Sequence, residues 1–193
     1  MLVNLPHLTT PRLLLRAFTE ADVASLIELA GNYEVAKNTL NIPHPYTEAD
    51  AQHWLHLTRQ GHAQGIAYAF ALELRATSEF IGGIGLTLEA RFDRAEAGYW
   101  LGQPYWGRGL ATEALAALLR FGFEELKLNK IYATHHADNL ASGGVMRKNG
   151  MVKEGELAQH IKRDGHYFDL LQYRLTNQEY VRLSQRAATV QLR

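Results

Sequence analysis

Cysteine is absent from this sequence of 193 residues. Without a thiol, the chain cannot form a disulfide, build a thiolate metal site or use a cysteine nucleophile. No metal site of another kind is predicted. A cysteine-free chain fits a reducing compartment, so the expected location is the cytoplasm.

Long apolar runs and an excess of one charge are absent too. No stretch reaches the roughly 18 apolar residues that a membrane-spanning helix needs, so no membrane partner is expected. Lys and Arg number 20, as do Asp and Glu, and the formal net charge is zero. This balance argues against a nucleic-acid-binding protein. The length favours one domain over residues 1–193.

Hydrophobic periodicity predicts a mixture of strands and helices. Strands are predicted over 12–16, 66–75, 79–88, 95–101, 130–136, 153–161 and 166–175. Helices are predicted over 20–30, from the capping residue Thr47 to about Gly61, and over 112–126 and 140–148. A C-terminal tail helix is predicted over about 177–193.

A glycine-rich turn between a strand and the clearest helix is the strongest local signal. It reads Trp-Gly-Arg-Gly-Leu-Ala over 106–111. Gly107 and Gly109 have no Cβ, so backbone N–H groups there and at the following helix N-terminus can approach a phosphate or pyrophosphate closely. The spacing matches neither the dinucleotide nor the P-loop motif. A tight turn without a ligand is the alternative.

The turn resembles motif A of the GNAT superfamily of acetyltransferases, Gln/Arg-x-x-Gly-x-Gly/Ala, which reads here Trp106-x-x-Gly109-x-Ala111. Tryptophan replaces Gln or Arg at the first position, but main-chain amides make the contact, so the departure should matter little. Three more blocks resemble the RimJ/RimL branch, which contains the ribosomal-protein N-terminal acetyltransferases: 10–16, the Asn-x-x-Ser segment 139–142 with 147–151, and the hairpin 163–169. The resemblance covers about residues 8–176.

This resemblance implies an α/β (α+β) fold with a mixed, mostly antiparallel central sheet of about seven strands, flanked by helices. Strands four and five, here 95–101 and 131–136, would splay apart and leave a gap for a pantetheine arm. The implied activity is acetyl-CoA-dependent N-acetyl transfer, directly within a ternary complex, to a primary amine. That amine could be a protein N-terminus or a small molecule, and the enzyme a monomer or a homodimer.

The resemblance also implies which residues hold acetyl-CoA. The main chain of Trp100, Leu101 and Gly102 would pair with the pantetheine like an added strand. The pyrophosphate would be held by seven consecutive amides, those of Trp106, Gly107, Arg108, Gly109, Leu110, Ala111 and Thr112. Asn139 would bind the pantetheine arm, and Arg147 or Lys148 would reach the nucleotide phosphates. A solvated helix face is the alternative for these two cations.

Glu96 is the first candidate for a general base, because many family members place a glutamate near this position. Strand alternation puts it on one face with Gly98 and Trp100. If Trp100 faces the core side with Tyr68 and Phe70, Glu96 lies on that side too. An ion pair with Arg94 or Arg91 is the alternative. His136 and His135 follow as candidates, and alternation lets at most one of them reach the cleft. His160 is a further candidate.

Ser142 is the candidate that would contact the leaving thiolate, the role of the matching residue in the RimJ/RimL branch. Its alternative is a hydrogen bond to its own helix backbone. Many family members place a tyrosine acid seven residues after the asparagine, but Met146 stands there.

The acceptor pocket should draw on 32–46, Trp54 and the hairpin 159–167. A rival interpretation is a non-catalytic acyl-CoA-binding or regulatory module that kept the turn and lost turnover. Thioester cleavage with a panel of amines separates the two.

Overall fold

A single twisted sheet forms the centre of the molecule. The computed structural model describes residues 5–191, with the backbone alone for 187–191. Within that range eight strands occur, in the spatial order β1-β2-β3-β4-β5-β6-β8-β7. Their bounds are β1 Leu8–Thr9, β2 Leu13–Arg16, β3 Ala67–Leu74, β4 Phe80–Glu89, β5 Arg94–Leu101, β6 Lys130–His136, β7 Val152–Arg163 and β8 His166–Thr176. The mixed, mostly antiparallel sheet is confirmed, with one strand more than the expected seven or so.

Six α-helices accompany the sheet within the described range. They are α1 Val23–Ala30, α2 Tyr33–Ala36, α3 Glu48–Ala63, α4 Leu110–Arg120, α5 Leu140–Lys148 and α6 Asn177–Gln191. The short α2 was not predicted, and α4 continues into a π-helical turn at Phe121–Glu125. The last two residues of the expected tail helix lie outside the described residues. None of the described helices is long and apolar enough to cross a membrane.

The helices pack on both faces of the sheet. Leu115 and Leu118 of α4 are fully buried against Phe70 and Ile131 on one face. On the other face α1 and α3 pack with Phe18, Phe80 and Trp100. Trp100 therefore lies on the face opposite Phe70, so the condition that the two share a face is not met. Strand alternation places residues 96, 98 and 100 with α1 and α3 instead.

The strands β5 and β6 form the one parallel pair of the described sheet, and it is short. Arg94, Ala95 and Glu96 pair with Lys130, Ile131 and Tyr132. Beyond these residues the two strands separate, although β4 pairs with β5 and β8 pairs with β6 along their lengths. The predicted splay is therefore confirmed, and the inner edges of 97–101 and 133–136 have no strand partner.

Candidate active site

A cavity of about 1190 Å³ lies where β5 and β6 separate. One part is lined by the end of β5, the glycine-rich turn and α5. The other part is lined by α1, α3 and the loop between α2 and α3. The cavity passes through the gap in the sheet, so it joins the two helical layers. Two molecules bound from opposite sides could therefore meet in the gap.

The glycine-rich turn adopts the backbone that an anion site requires. Gly107 and Gly109 have φ angles of 73° and 75°, a left-handed conformation that costs other residues about 1–2 kcal/mol. Gly109 is the N-cap of α4, so the first N–H groups of that helix have no partner within it. Both glycines line the cavity. This arrangement fits a phosphate or pyrophosphate.

Contacts from the short connection between β1 and β2 hold the turn in place. Arg12 Nη1 donates to the Arg108 carbonyl at 2.9 Å, and Arg12 Nε donates to Glu113 of α4 at 2.6 Å. Thr10 Oγ1 also donates to Glu113, at 2.6 Å. Partial burial acts to raise the pKa of Glu113, but the hydrogen bonds from Thr10 and Arg12 outweigh it and hold that pKa below its usual value. Residues far apart in sequence thus fix the turn together.

The inner strand edges suit an extended ligand, because backbone N–H and C=O groups that lack a partner must find one. Two of the groups predicted for this role are already engaged. The Gly102 N–H donates to the Ile81 carbonyl at 2.9 Å, and the Leu101 carbonyl accepts from Trp106 Nε1 at 2.7 Å. Gly102 consequently lies outside the cavity lining, whereas Trp100, Leu101 and Trp106 lie within it.

The residues predicted on α5 separate into two groups. Asn139, Ser142 and Lys148 line the cavity, but Arg147 does not. Arg147 turns back under the helix and donates to the Tyr173 hydroxyl at 3.0 Å. Arg108 is also outside the lining, although its neighbours Gly107 and Gly109 are inside. The Asn139 side chain caps α5 by accepting from the Ser142 N–H at 3.1 Å, which leaves its NH₂ group able to donate.

Glu96 is half-buried in the cavity wall at the point where the strands separate. Its Oε1 accepts from Thr134 Oγ1 at 3.1 Å. The alternative ion pair with Arg94 is not formed, since Arg94 pairs with Glu89 at 2.7 Å. The carboxylate therefore lies in the part of the cavity lined by α1 and α3, which is the predicted pocket for the acceptor amine. Its other oxygen, Oε2, is available to accept a hydrogen bond.

Ser142 has a partner that the sequence did not reveal. The Tyr99 hydroxyl lies 2.9 Å from Ser142 Oγ and 3.0 Å from the Ser142 carbonyl oxygen. Both residues line the cavity. Met146, at the position of the family's tyrosine acid, is buried in the core. From the sequence, strand alternation in β5 could have placed Tyr99 on the side of α5. Its contact with Ser142 could not be predicted, because it depends on how α5 packs.

His135 and His136 are both buried, and each has an Nε2 atom without a hydrogen-bond partner. They face opposite ways: His135 stacks on Tyr173, and His136 meets the edge of Phe168. The opposite orientation that strand alternation predicts is therefore confirmed, and both residues line the cavity, which spans both faces of the sheet. Burial lowers the pKa of both imidazoles.

His160, the further candidate for the base, is exposed on β7 and lies outside the cavity lining.

The acceptor part of the cavity is lined mainly by apolar and aromatic side chains. They include Trp54, Tyr46, Leu57 and Ile42. The loop 37–43 covers this part, and a single side chain of the β7–β8 hairpin holds it. Arg163 donates to the carbonyls of Ala36, Thr39 and Ile42 at 2.6, 3.0 and 3.1 Å. The two predicted acceptor segments are thus joined by Arg163.

Comparison with known proteins agrees with this geometry. The model of the acetyltransferase (GNAT) domain matches residues 12–152. An uncharacterized N-acetyltransferase, p20, of Bacillus licheniformis is 33% identical over 175 residues, covering 90% of this chain and 97% of its own. The [ribosomal protein uS5]-alanine N-acetyltransferase of Escherichia coli is 28% identical, with coverage of 92% and 95%. The structure of RimL, a ribosomal L7/L12 α-N-protein acetyltransferase, with coenzyme A superposes with a TM-score of 0.80 at 22% identity, covering 89% and 98%.

Proposed function

The chain belongs to the GNAT family of acetyltransferases, and from this premise we propose how its residues carry out acetyl-CoA-dependent N-acetylation. The amides of residues 107–112 hold the pyrophosphate. The Trp106 N–H, which was predicted to join them, already donates to the Gln103 carbonyl at 3.2 Å. The inner edges of β5 and β6 hold the pantetheine, and Lys148 lies near the nucleotide phosphates. The observation that carries this proposal is the cavity that joins the left-handed glycines to the unpaired strand edges.

Acetyl-CoA, when bound, supplies an activated acetyl group on a thioester. The chain's own residues then have three tasks. The two parts of the cavity bring the amine close to the thioester carbon, which can supply much of the rate enhancement. Glu96 removes a proton from the incoming amine, directly or through water, with His136 as second candidate. Ser142 directs its hydroxyl proton at the leaving sulfur, and the acetyl group passes directly from the thioester to the amine.

The acceptor is a primary amine, and we propose that an apolar group carries it. Apolar and aromatic side chains line much of the acceptor part of the cavity, and among the described residues only Glu96 and Asp50 supply carboxylates to the lining. Asp50 is already committed, because it accepts from the Thr47 N–H and hydroxyl. A polyamine would therefore bury charges without partners. Such an amine is a protein N-terminus or a small amine with an apolar body.

A panel of amines tests this assignment. Release of free thiol from acetyl-CoA is measured with an alanine-led peptide, the same peptide blocked at its N-terminus and carrying an internal lysine, phenethylamine, and spermidine. Faster thiol release with the free N-terminus or the apolar amine than with spermidine is expected. Preference for spermidine would contradict the proposed acceptor, and no release with any amine would favour the non-catalytic alternative.

Replacing Ser142 by alanine should lower turnover more than it lowers cofactor affinity. The hydroxyl stabilises a sulfur whose negative charge develops mainly in the transition state. We expect kcat to fall about tenfold, which corresponds to about 1.4 kcal/mol, and the Kd for acetyl-CoA to change little. Steady-state kinetics and calorimetry check this. Equal losses in kcat and affinity, or none in either, would count against the role.

Replacing Arg163 by lysine should weaken amine binding selectively. An ammonium cannot reach all three loop carbonyls, and hydrogen bonds to a charged group contribute about 1.5–3 kcal/mol each. The KM for the amine should rise about tenfold, with acetyl-CoA affinity unchanged. Arg174→Lys is a matched control, because Arg174 pairs with Glu179 of α6 instead of the loop. Equal KM values in the two variants would contradict a role for Arg163 in the acceptor site.

We further propose that residues 1–193 act as one acetyltransferase domain, since β7 and β8 complete the sheet that the matched residues 12–152 begin.

The cytoplasmic location and the choice between monomer and homodimer stay predictions.

A further inference from the structure

The hydroxyls of Tyr99 and Ser142 form a pair beside the gap between β5 and β6. The two oxygens are 2.9 Å apart, within the normal range for an O–H···O hydrogen bond. Tyr99 lies on β5, whose backbone β4 pairs throughout, and Ser142 lies in the first turn of α5. The pair therefore joins the sheet to the helix at the point where the strands part.

Two arrangements of the hydroxyl protons are possible. In the first, Tyr99 donates to the Ser142 carbonyl at 3.0 Å and accepts the serine proton, which then points away from the gap. In the second, Tyr99 donates to Ser142 Oγ and the serine proton is free to face the cavity. A negatively charged acceptor in the cavity favours the second arrangement, because hydrogen bonds to an ionised group are roughly twice as strong as neutral ones.

We propose that Tyr99 is a positioning residue, which donates to Ser142 Oγ and so directs the serine proton at the leaving sulfur. The inference rests on the proposed function, because it assumes the role of Ser142. Donation by Tyr99 also makes the serine a stronger donor, since chained hydrogen bonds polarise one another. No proton needs to leave Tyr99 in this scheme. The amine nitrogen bonds to the acyl carbon and loses its proton to Glu96, the bond between carbon and sulfur breaks with its electron pair on sulfur, and Ser142 stabilises that charge.

The surroundings of Tyr99 favour its protonated, hydrogen-donating form. Burial raises the pKa of Tyr99 to about 12, although the hydrogen bond with Ser142 acts in the opposite direction. The phenol therefore stays protonated while the amine substrate titrates. Tyr99 accordingly contributes no ionisation of its own to the pH dependence of the reaction.

Kinetics of Tyr99→Phe, Ser142→Ala and the double variant test the proposal. Tyr99→Phe should lower kcat about fivefold to tenfold, the size of one lost hydrogen bond, and leave the Kd for acetyl-CoA unchanged. The double variant should be no slower than Ser142→Ala, because Tyr99 acts through the serine. Tyr180→Phe is a matched control, since its hydroxyl donates to Glu124 at 2.6 Å outside the cavity lining.

A binding measurement gives a readout that is independent of turnover. CoA and desulfo-CoA are titrated by calorimetry above pH 8.5, about the pKa of a free thiol. The wild-type protein should favour CoA, and both Tyr99→Phe and Ser142→Ala should reduce that preference equally. If Ser142→Ala is impaired in both assays and Tyr99→Phe in neither, this inference fails and the role of Ser142 survives.

Three other results would overturn the inference. An unimpaired Ser142→Ala variant removes the serine's proposed role, and the positioning role of Tyr99 with it. Additive losses in the double variant mean that Tyr99 acts independently of Ser142. If the pH–rate profile loses an alkaline limb in Tyr99→Phe but not in Ser142→Ala, Tyr99 is itself the proton donor.

Discussion

Replacing Gly109 by tryptophan is expected to abolish acetyl-CoA binding while the fold persists. The residue has a φ of 75° at the N-cap of α4 and lines the cavity. A side chain there fills the space that the phosphates need, and several hydrogen bonds to a charged group are lost together, each contributing about 1.5–3 kcal/mol. We expect at least about a 100-fold loss of affinity, or about 2.7 kcal/mol, by isothermal calorimetry.

The control for backbone strain is Gly65→Trp. Gly65 has a φ of 66° and open space around it, but it lies in the turn between α3 and β3, outside the cavity lining. Both variants should fold with similar circular dichroism spectra, and only Gly109→Trp should lose acetyl-CoA binding. Undiminished binding in a folded Gly109→Trp protein would remove the turn from the cofactor site.

Replacing Glu96 by glutamine should slow the reaction in a manner that depends on pH. Glutamine keeps the side-chain shape and can still accept from Thr134, but it cannot accept the proton of an ammonium substrate. General-base catalysis contributes about 10²–10⁴-fold, and we expect kcat/KM to fall about 100-fold at neutral pH. Raising the pH should partly rescue the variant, because a larger share of the amine is then already neutral.

A full pH–rate profile of kcat/KM for both proteins checks this expectation. Glu89→Gln is the matched control, because Glu89 pairs with Arg94 and lies outside the cavity lining. Its profile should follow the wild type. If the Glu96→Gln profile also follows it, Glu96 is not the base. His136 would then be the next residue to replace, because burial lowers its pKa and keeps it able to accept a proton at neutral pH.

Features that depend on neighbouring residues could be predicted from the sequence. Thr47 and Asp50 form the expected capping box of α3, because the contact lies within one helical turn. The left-handed turn at Gly107 and Gly109 follows from the conformational freedom of glycine. The order of strands and helices followed from hydrophobic periodicity, and the splay of the sheet followed from the family resemblance.

Features that depend on long-range packing could not be predicted. Tyr99 meets Ser142 across 43 residues, and Arg163 meets Ala36 across 127. The same limit explains why the prediction that Arg147 reaches the phosphates did not foresee its bond to Tyr173, since that contact depends on how α5 packs on β8. Strand alternation correctly put Glu96 and Trp100 on one face, but which helical layer covers that face depends on the tertiary fold.

Mass spectrometry with isotopically labelled acetyl-CoA tests the central claim most directly. The protein is incubated with labelled acetyl-CoA and the amine panel, and both the acetylated amine and the released free CoA are quantified. We expect one labelled acetyl group on the nitrogen of an accepted amine for each CoA released, and no product from Gly109→Trp. CoA binding without labelled product from any amine, or a product formed equally by Gly109→Trp, would contradict it.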